Sequence, residues 1–309
     1  MPVGGAAEGD QVVNVEPLYR AGPIRRDRRS AARIDQLDRQ LIDVLDEDRP
    51  QSVRHLFYRM TDPRLPEPVE KSERGYRHVQ HRVVQLRRSG RVPFGWITDA
   101  TRRGHFTPTY GGKADFLRSM KGFYRADLWR WSDVYVEVWT ESRSIAGVVE
   151  ADCRDLAVSL YPAGGFASLS LAHQAAELIN HAAAGRQAVI LYIGDYDPAG
   201  VLIDVAIERE LRAHLSPDIP LAFDRIAITA EQIAALDLPG KPRKPGDRRA
   251  LHIRETVEAE AMPARILRQL LRNRIESYLP DQALAVARVE EQDVQAYFDN
   301  LATMLAGGR

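Results

Sequence analysis

The sequence of 309 residues predicts a mixed α/β protein, in which a helical N-terminal region precedes a mostly parallel sheet covered by helices. Strand-like and helix-like segments alternate from about residue 134 to 229, which predicts the sheet. Acidic residues follow two of these strands, as expected for a sheet edge with chemical activity. Apolar residues at helical spacing before residue 90 predict the N-terminal helices.

Composition limits the class of protein. Hydrophobic residues make up 44% and charged residues 28%, which is typical of globular proteins. The single cysteine, Cys153, excludes an intramolecular disulfide and a cysteine zinc cluster. The longest apolar run, residues 188–193, is too short to span a bilayer, and the N-terminus lacks a signal-peptide pattern. We therefore expect a cytoplasmic protein with no membrane partner.

The N-terminal region divides into a tail and a helical domain. Residues 1–30 are rich in Gly and Ala and end in a basic run, so we expect a disordered or basic tail. Residues 31–104 predict three helices, the second starting near Ser52 and the third near Ser72. A short strand-like segment follows at 92–97. Three helices and a β-type wing predict a winged-helix DNA-binding domain, with the third helix in the recognition position.

Basic residues concentrate around the third helix. The formal net charge of the chain is zero, but residues 71–104 contain nine Lys and Arg against two acids, a net charge of +7. Such a cluster is typical of proteins that bind a phosphate backbone, and a solvated basic helix face is the alternative. The candidate DNA-binding residues are Arg74, Arg77, Arg82, Arg87, Arg88, Arg91, Arg102 and Arg103.

The rest of the chain predicts a connector and an α/β domain. Residues 105–132 predict a connector with some helix, and residues 133–309 a sheet domain with a helical C-terminal extension. The predicted strands are 134–139, 187–193 and 223–229, and the predicted helices are 143–157, 170–183, 200–214, 263–277 and 289–304. A basic, Pro-rich loop at 238–249, either a linker or a DNA-contacting segment, interrupts the last part.

Two carboxylates follow the second of these strands. Asp195 and Asp197 come directly after the apolar run, and Pro198 follows where a helix is expected to start. Alternate residues leaving a strand end can direct both carboxylates into one cleft, and such oxygen ligands suit Mg²⁺. The alternative is that Asp197 is a helix N-cap with Pro198 at the first helical position, which leaves Asp195 unexplained.

A third acid occupies an equivalent position. Glu141 follows the strand 134–139 and precedes a helix-like segment, so it also lies at a strand-to-helix junction. Two such junctions about fifty residues apart fit neighbouring strands of one sheet. The alternative is a solvated first-turn acid favoured by the helix dipole.

A tyrosine in the second helix lies beside the apolar stripe. Val53, Leu56, Phe57 and Met60 cluster on one face of this helix, and Tyr58 lies on the flank. Arg54 is one turn away, so its charge would favour the phenolate form of Tyr58, and it could also hold a phosphate. We consider two interpretations, a nucleophile that attacks phosphodiesters and an ordinary boundary tyrosine.

These motifs resemble the A subunit of topoisomerase VI and the related meiotic double-strand-break transesterases. Glu141 after one strand and Asp195-Tyr-Asp197-Pro-Ala-Gly200 after another resemble the Toprim domain of that family. Arg54-His-Leu-Phe-Tyr58 resembles its tyrosine motif, in the same order along the chain. The resemblance spans roughly 35–280, and the short chain is most similar to the stand-alone bacterial and phage forms called mini-A. One departure is Glu141-Ser142-Arg143, where the family often has Glu-Lys.

The resemblance implies a function and a set of site residues. It implies that Tyr58 attacks DNA with the help of Arg54 and forms a 5′-phosphotyrosyl link, and that Glu141, Asp195 and Asp197 bind Mg²⁺ or Mn²⁺. It also implies double-stranded DNA as the partner, nucleoid association, and a homodimer in which the tyrosine of one subunit works with the metal site of the other. The chain has no phosphate-binding loop motif for ATP, so strand passage would require a separate B-type ATPase subunit.

Three other functions remain open at the level of sequence. A Toprim metallonuclease would cut DNA with water and form no covalent adduct. A non-catalytic DNA-binding protein would bind in a salt-dependent manner without cleavage. An aspartate-nucleophile phosphatase also uses Asp-x-Asp after a strand, but usually after its first strand and without the Pro-x-Gly that follows here.

Overall fold

The computed structural model describes residues 29–98, 107–164, 169–243, 249–250 and 253–307. Most of the predicted tail and the candidates Arg102 and Arg103 lie outside these ranges, as does part of the loop 238–249. The described α-helices are α1 Ala31–Glu47, α2 Val53–Met60, α3 Glu73–Arg88, α4 Lys113–Ser119, α5 Arg143–Asp155, α6 Leu169–Ala183, α7 Gly200–His214, α8 Ala230–Leu236, α9 Ala264–Glu276 and α10 Ala283–Gly307. The described strands are β1 Val134–Thr140, β2 Ser159–Pro162, β3 Gln187–Ile193, β4 Leu221–Ala227, β5 Lys241–Pro242 and β6 Glu255–Thr256.

Four strands form a parallel sheet in the order β2-β1-β3-β4, which confirms the predicted mostly parallel sheet. Strand β2 was not predicted, because its four residues are too few to show a periodic pattern. Strand β4 lies at Leu221–Ala227, two residues before its predicted position. The arrangement is compatible with a Rossmann-like domain.

Helices cover both faces of the sheet. Strand β3 contributes Val189, Leu191 and Ile193 to one buried cluster, and its alternate residues to the other. The first cluster also contains side chains of α5, α9 and the N-terminal helices, and the second contains side chains of α6 and α7. Because both faces are buried, the strands read as nearly continuous apolar runs.

Helices α1, α2 and α3 confirm the three helices predicted for the N-terminal region. The side chains of Ser52 and Ser72 accept hydrogen bonds from backbone N–H groups three residues later, so both act as the predicted N-caps. The prediction of a strand at 92–97 was wrong. Residues Phe94–Trp96 form a 3₁₀ turn, and Ile97 makes a single bridge to Gln51. Pro93 cannot donate to a strand ladder, which explains this outcome.

The C-terminal helix α10 is longer than predicted and packs against α4 of the connector. Lys121, just after α4, forms an ion pair of 2.8 Å with Asp299 in α10. Of the helices that the structure describes, none combines the length and the hydropathy needed to cross a bilayer.

Candidate active site

The sheet brings the predicted acids together at one edge. Strands β1 and β3 pair in parallel, with Thr140 opposite Ile193, so Glu141 and Asp195 follow neighbouring strands at their carboxyl ends. The backbone N–H of Asp195 donates to Oε2 of Glu141 over 2.9 Å. We call Glu141, Asp195, Asp197 and the nearby Glu260 the acidic edge.

Each predicted acid accepts a hydrogen bond from a backbone N–H group with one of its carboxylate oxygens. Oδ1 of Asp195 accepts from the N–H of Ala259 over 2.8 Å. Oδ1 of Asp197 accepts from the N–H groups of Ala199 and Gly200 over 2.8 and 2.6 Å. The carboxylate of Asp197 thus satisfies backbone N–H groups at the start of α7, which begins at Gly200 as predicted and has Ala199, not Asp197, as its N-cap residue. The other carboxylate oxygen of each residue is left to bind a cation.

Negative charge accumulates at this edge. Burial, then the carboxylates of Glu141 and Glu260, raise the pKa of Asp195 to about 8. Burial is also the largest cause of the raised pKa of Glu141 and of Glu260. Glu260, which lies on a segment 65 residues beyond Asp195, receives a hydrogen bond from Ser142 of 3.3 Å. Carboxylates that crowd in this way destabilise one another unless a proton or a cation neutralises them.

A buried hydroxyl also faces the edge. The hydroxyl of Tyr192 is fully buried and has no hydrogen-bond partner among the described residues. A Cβ at Gly194 would lie 2.6 Å from this hydroxyl and 2.8 Å from Oε2 of Glu141. Glycine at this position therefore leaves space between the phenol and the carboxylate, and an unsatisfied buried hydroxyl is a feature that a bound ligand or water would satisfy.

The donor set fits a hard divalent cation, since Mg²⁺ prefers carboxylate oxygens. Within the described part of the chain, however, no three His, Cys, Asp or Glu side chains are already arranged around a single cation position. The hydrogen bonds to backbone N–H groups account for this arrangement, because they turn one oxygen of each carboxylate inward.

Tyr58 is more buried than its position on the helix predicted. The residue is 4% exposed and packs against Phe57, with ring centres 5.4 Å apart. Arg54 acts in the predicted direction, since its charge lowers the pKa of Tyr58, but other groups outweigh it. Burial and the carboxylate of Glu258 raise the pKa of Tyr58, and the opposing effect of Arg54 is smaller.

The surroundings of Tyr58 combine three cations and a carboxylate. The carboxylate of Glu258 raises the pKa of Tyr58 and so lies near the phenol, and Nη1 of Arg54 donates to that carboxylate over 2.7 Å. Nζ of Lys71 and of Lys241 each lie 5.7 Å from the centre of the Tyr58 ring. Arg54 thus reaches Glu258, while its guanidinium stacks on Tyr76 at 4.9 Å.

One short segment joins the tyrosine to the acidic edge. Glu258 accepts a hydrogen bond from Arg54, one turn before Tyr58, and the next residue, Ala259, donates its N–H to Asp195. Glu260 follows in a 3₁₀ turn, Ala259–Ala261, that packs against α2. Residues 258–260 therefore contact both of the places that the sequence motifs indicated.

The arginines predicted to bind DNA fall into two groups. Arg74, Arg77, Arg88 and Arg91 are exposed, and the first three share one face of α3. Arg82 instead makes two hydrogen bonds to the buried carboxylate of Asp38, of 2.8 and 2.6 Å. Arg87 donates to the carbonyl of Phe94 and stacks on its ring. These last two side chains have structural partners that compete with phosphate.

A basic concavity lies between α1 and α3. Its volume is about 640 Å³. Its basic lining residues are Arg29, Arg33, Arg74, Arg77, His78 and His81. Arg29 and Arg33 pair with Glu67, which neutralises part of this surface.

The sequence did not assign roles to Glu258, Glu260, Lys241 or Tyr192. The alternation of Glu258 and Glu260 resembles that of Asp195 and Asp197 and was a usable signal, but no periodic strand precedes it. No protein-family model, curated protein sequence or solved structure matches this chain.

Proposed function

We propose that this chain is a DNA-cleaving transesterase of the topoisomerase VI A type, with a winged-helix-like N-terminal region and a Toprim domain. One observation carries the proposal: residues 258–260 link the helix of Tyr58 to Asp195, since Glu258 accepts a hydrogen bond from Arg54 and Ala259 donates one to Asp195. The candidate nucleophile, Tyr58, and the candidate cation site, the acidic edge, therefore both lie next to the segment 258–260. Phosphodiester cleavage requires a nucleophile and a site of charge stabilisation close together.

In the proposed reaction, the Tyr58 oxygen attacks a DNA phosphorus and the sugar 3′-oxygen leaves, giving a 5′-phosphotyrosyl link. The phenol loses its proton and the departing 3′-oxygen gains one, so the step is balanced. Arg54 holds the phosphate with its planar guanidinium. When bound by Glu141, Asp195 and Asp197, Mg²⁺ or Mn²⁺ supplies positive charge for the phosphate and the leaving oxygen.

A second function, hydrolysis of DNA by a Toprim metallonuclease, is favoured by the burial of Tyr58. A phenol that is 4% exposed, with its pKa raised by burial, is a poor nucleophile unless DNA binding changes its surroundings. In this alternative the acidic edge activates water, and Tyr58 only packs the helix against the segment 258–260.

Covalent trapping separates the two functions. End-labelled DNA is incubated with the protein and Mg²⁺ or Mn²⁺, then quenched with denaturant. We expect labelled DNA attached to the wild-type protein and none attached to Tyr58→Phe. Cleavage without an adduct supports the metallonuclease. Binding without cleavage supports a non-catalytic DNA-binding protein or an enzyme that requires a B-type ATPase subunit.

We also propose a homodimer with twofold symmetry, acting on double-stranded DNA in the cytoplasm at the nucleoid. Mixing two inactive variants, Tyr58→Phe and Asp195→Ala, tests whether the site is shared between subunits. If one subunit provides the tyrosine and the other the acids, mixed dimers regain one site and nick DNA. If Tyr58 works with the acidic edge of its own chain, mixed dimers stay inactive.

A further inference from the structure

Two cationic donors converge on the carboxylate of Glu258, and a phenol hydroxyl lies near it. Nη1 of Arg54 donates to Oε2 and Nζ of Lys241 donates to Oε1, each over 2.7 Å. The hydroxyl of Tyr58 lies near the same carboxylate, whose negative charge raises the pKa of the phenol. A guanidinium, an ammonium and a phenol hydroxyl are the donors that proteins use to bind phosphate. The carboxylate presents its two oxygens to them as a phosphate would.

This cluster is open to solvent. The side chains of Arg54, Glu258 and Lys241 are 37%, 27% and 43% exposed. A ligand can therefore reach the donors without unfolding of the surrounding elements. Tyr58 is buried beneath them, and Nζ of Lys241 lies over its ring.

The cluster has a second lysine that Glu258 does not neutralise directly. Nζ of Lys71 donates to the carbonyl of Gly240 and lies the same 5.7 Å from the Tyr58 ring as Nζ of Lys241. Burial, then the charge of Lys241, lower the pKa of Lys71, while Glu255 and Glu258 act in the opposite direction. Two ammonium groups next to one carboxylate leave an excess of positive charge, which favours an anion with enough acceptor oxygens for both of them, such as the phosphate of DNA.

We propose that Arg54, Lys71, Lys241 and the Tyr58 hydroxyl form a phosphate-binding site, which Glu258 closes in the DNA-free protein by occupying the position of the phosphate. The ligand is a phosphodiester of DNA, and in this respect the inference rests on the proposed function. A DNA phosphate that enters the site displaces Glu258 and meets the hydroxyl of Tyr58. The contact with Glu258 thereby keeps the tyrosine protonated and covered until DNA is bound.

The test is DNA binding by Glu258→Gln, measured without divalent cations. The probe is a short fluorescein-labelled duplex in EDTA, and its anisotropy is followed at several salt concentrations. We expect affinity to increase by about tenfold, because a like charge next to the bound phosphate is removed. The salt dependence becomes steeper by about one phosphate contact. Inorganic phosphate competes with the duplex more strongly in the variant than in the wild type.

Glu208→Gln is the matched control. Glu208 is a surface acid on α7 that pairs with Arg212 over 2.7 Å, so its replacement removes the same charge far from the tyrosine. Equal affinities of Glu258→Gln and Glu208→Gln would overturn the inference. Thermal unfolding of both variants establishes that they are folded.

Lys241→Gln provides a second variant that does not depend on Glu258. We expect its affinity for the duplex to fall by about fivefold, because one charged phosphate contact is lost. Unchanged binding by Lys241→Gln contradicts the inference, even if Glu258→Gln proves too unstable to assay.

These binding results are independent of cleavage. Tighter binding by Glu258→Gln with no adduct in the wild-type protein supports the phosphate site and indicates either a non-catalytic DNA-binding protein or an enzyme that requires a B-type ATPase subunit. An adduct in the wild type, with unchanged binding by Glu258→Gln, supports the transesterase and contradicts the phosphate site closed by Glu258. Loss of the adduct in Glu258→Gln, with binding unchanged, shows that Glu258 serves the reaction as a base and does not close the site.

Discussion

Glu137 and Glu141 lie four residues apart, one within β1 and one just after it, and burial raises the pKa of both. Glu137 is fully buried and accepts hydrogen bonds from the hydroxyl of Tyr135 and the indole N–H of Trp139, each of 2.9 Å. Glu141 receives one backbone N–H, and the charges that act on it are the carboxylates of Asp197 and Glu260 and the guanidinium of Arg225.

The difference shows why burial of an acid does not by itself indicate function. The partners of Glu137 satisfy its oxygens from within the sheet, so the group is complete without a ligand. The acidic edge lacks enough cations and donors for its charge, and a bound cation would complete it. The hydrogen-bond partners and charges around a buried acid therefore indicate better than its pKa whether the acid is structural or binds a cation.

The largest expected difference between Glu137 and the acidic edge is in DNA cleavage. Asp195→Asn should reduce Mg²⁺-dependent cleavage by about 10³-fold, because a bound metal ion contributes several kcal/mol of charge stabilisation. Glu137→Gln is the control and should change the rate by less than about threefold, since it removes a charge but no cation ligand. Plasmid nicking rates measure both. Similar losses in the two variants would contradict the distinction between them.

Glu137 should control the pH dependence of stability. Its pKa is raised in the folded protein from 4.5 to about 7, so the stability that it contributes is present below pH 4.5 and is lost as the pH rises to 7. By linkage the loss is at most about 3 kcal/mol at pH 8. Glu137→Gln should therefore be more stable than wild type at pH 8 and gain nothing at pH 4.5. Denaturant unfolding at both pH values measures this difference, and a constant difference would contradict it.

Sequence alone predicted the sheet and its acidic edge well. Strand β3 and helix α7 have their predicted bounds, because a continuous apolar run and a helical apolar stripe are strong local patterns. Glu141 and Asp195 meet at one edge because parallel strands align their carboxyl ends.

The environment of Tyr58 could not be predicted in the same way. A helical wheel identifies the face that packs against neighbouring helices, and it correctly grouped Leu56, Phe57 and Met60, which are buried. Tyr58 is covered by a segment 200 residues later, which carries Glu258. Glu137 was missed for a related reason, since alternation in β1 does not show that helices cover both of its sides.

A divalent cation should stabilise the acidic edge without any DNA. We expect Mg²⁺ or Mn²⁺ at one hundred times its dissociation constant to stabilise the wild-type protein by about 2.7 kcal/mol. Glu137→Gln should gain as much, and Asp195→Asn should gain little. Differential scanning fluorimetry at increasing cation concentration measures these shifts. Equal stabilisation of Asp195→Asn would show that the cation binds elsewhere.

The smallest effect should come from Tyr192. Its hydroxyl has no partner among the described groups, so Tyr192→Phe should change the stability of the metal-free protein by less than about 0.5 kcal/mol. Tyr135→Phe is the matched comparison and should cost about 1–2 kcal/mol, because its hydroxyl donates to buried Glu137. With Mg²⁺ present, Tyr192→Phe should lose part of the stabilisation by the cation, whereas Tyr135→Phe should retain it. If the two variants behave alike under both conditions, the Tyr192 hydroxyl does not contribute to cation binding at the acidic edge. The difference between Glu137 and the acidic edge then depends on the carboxylates alone.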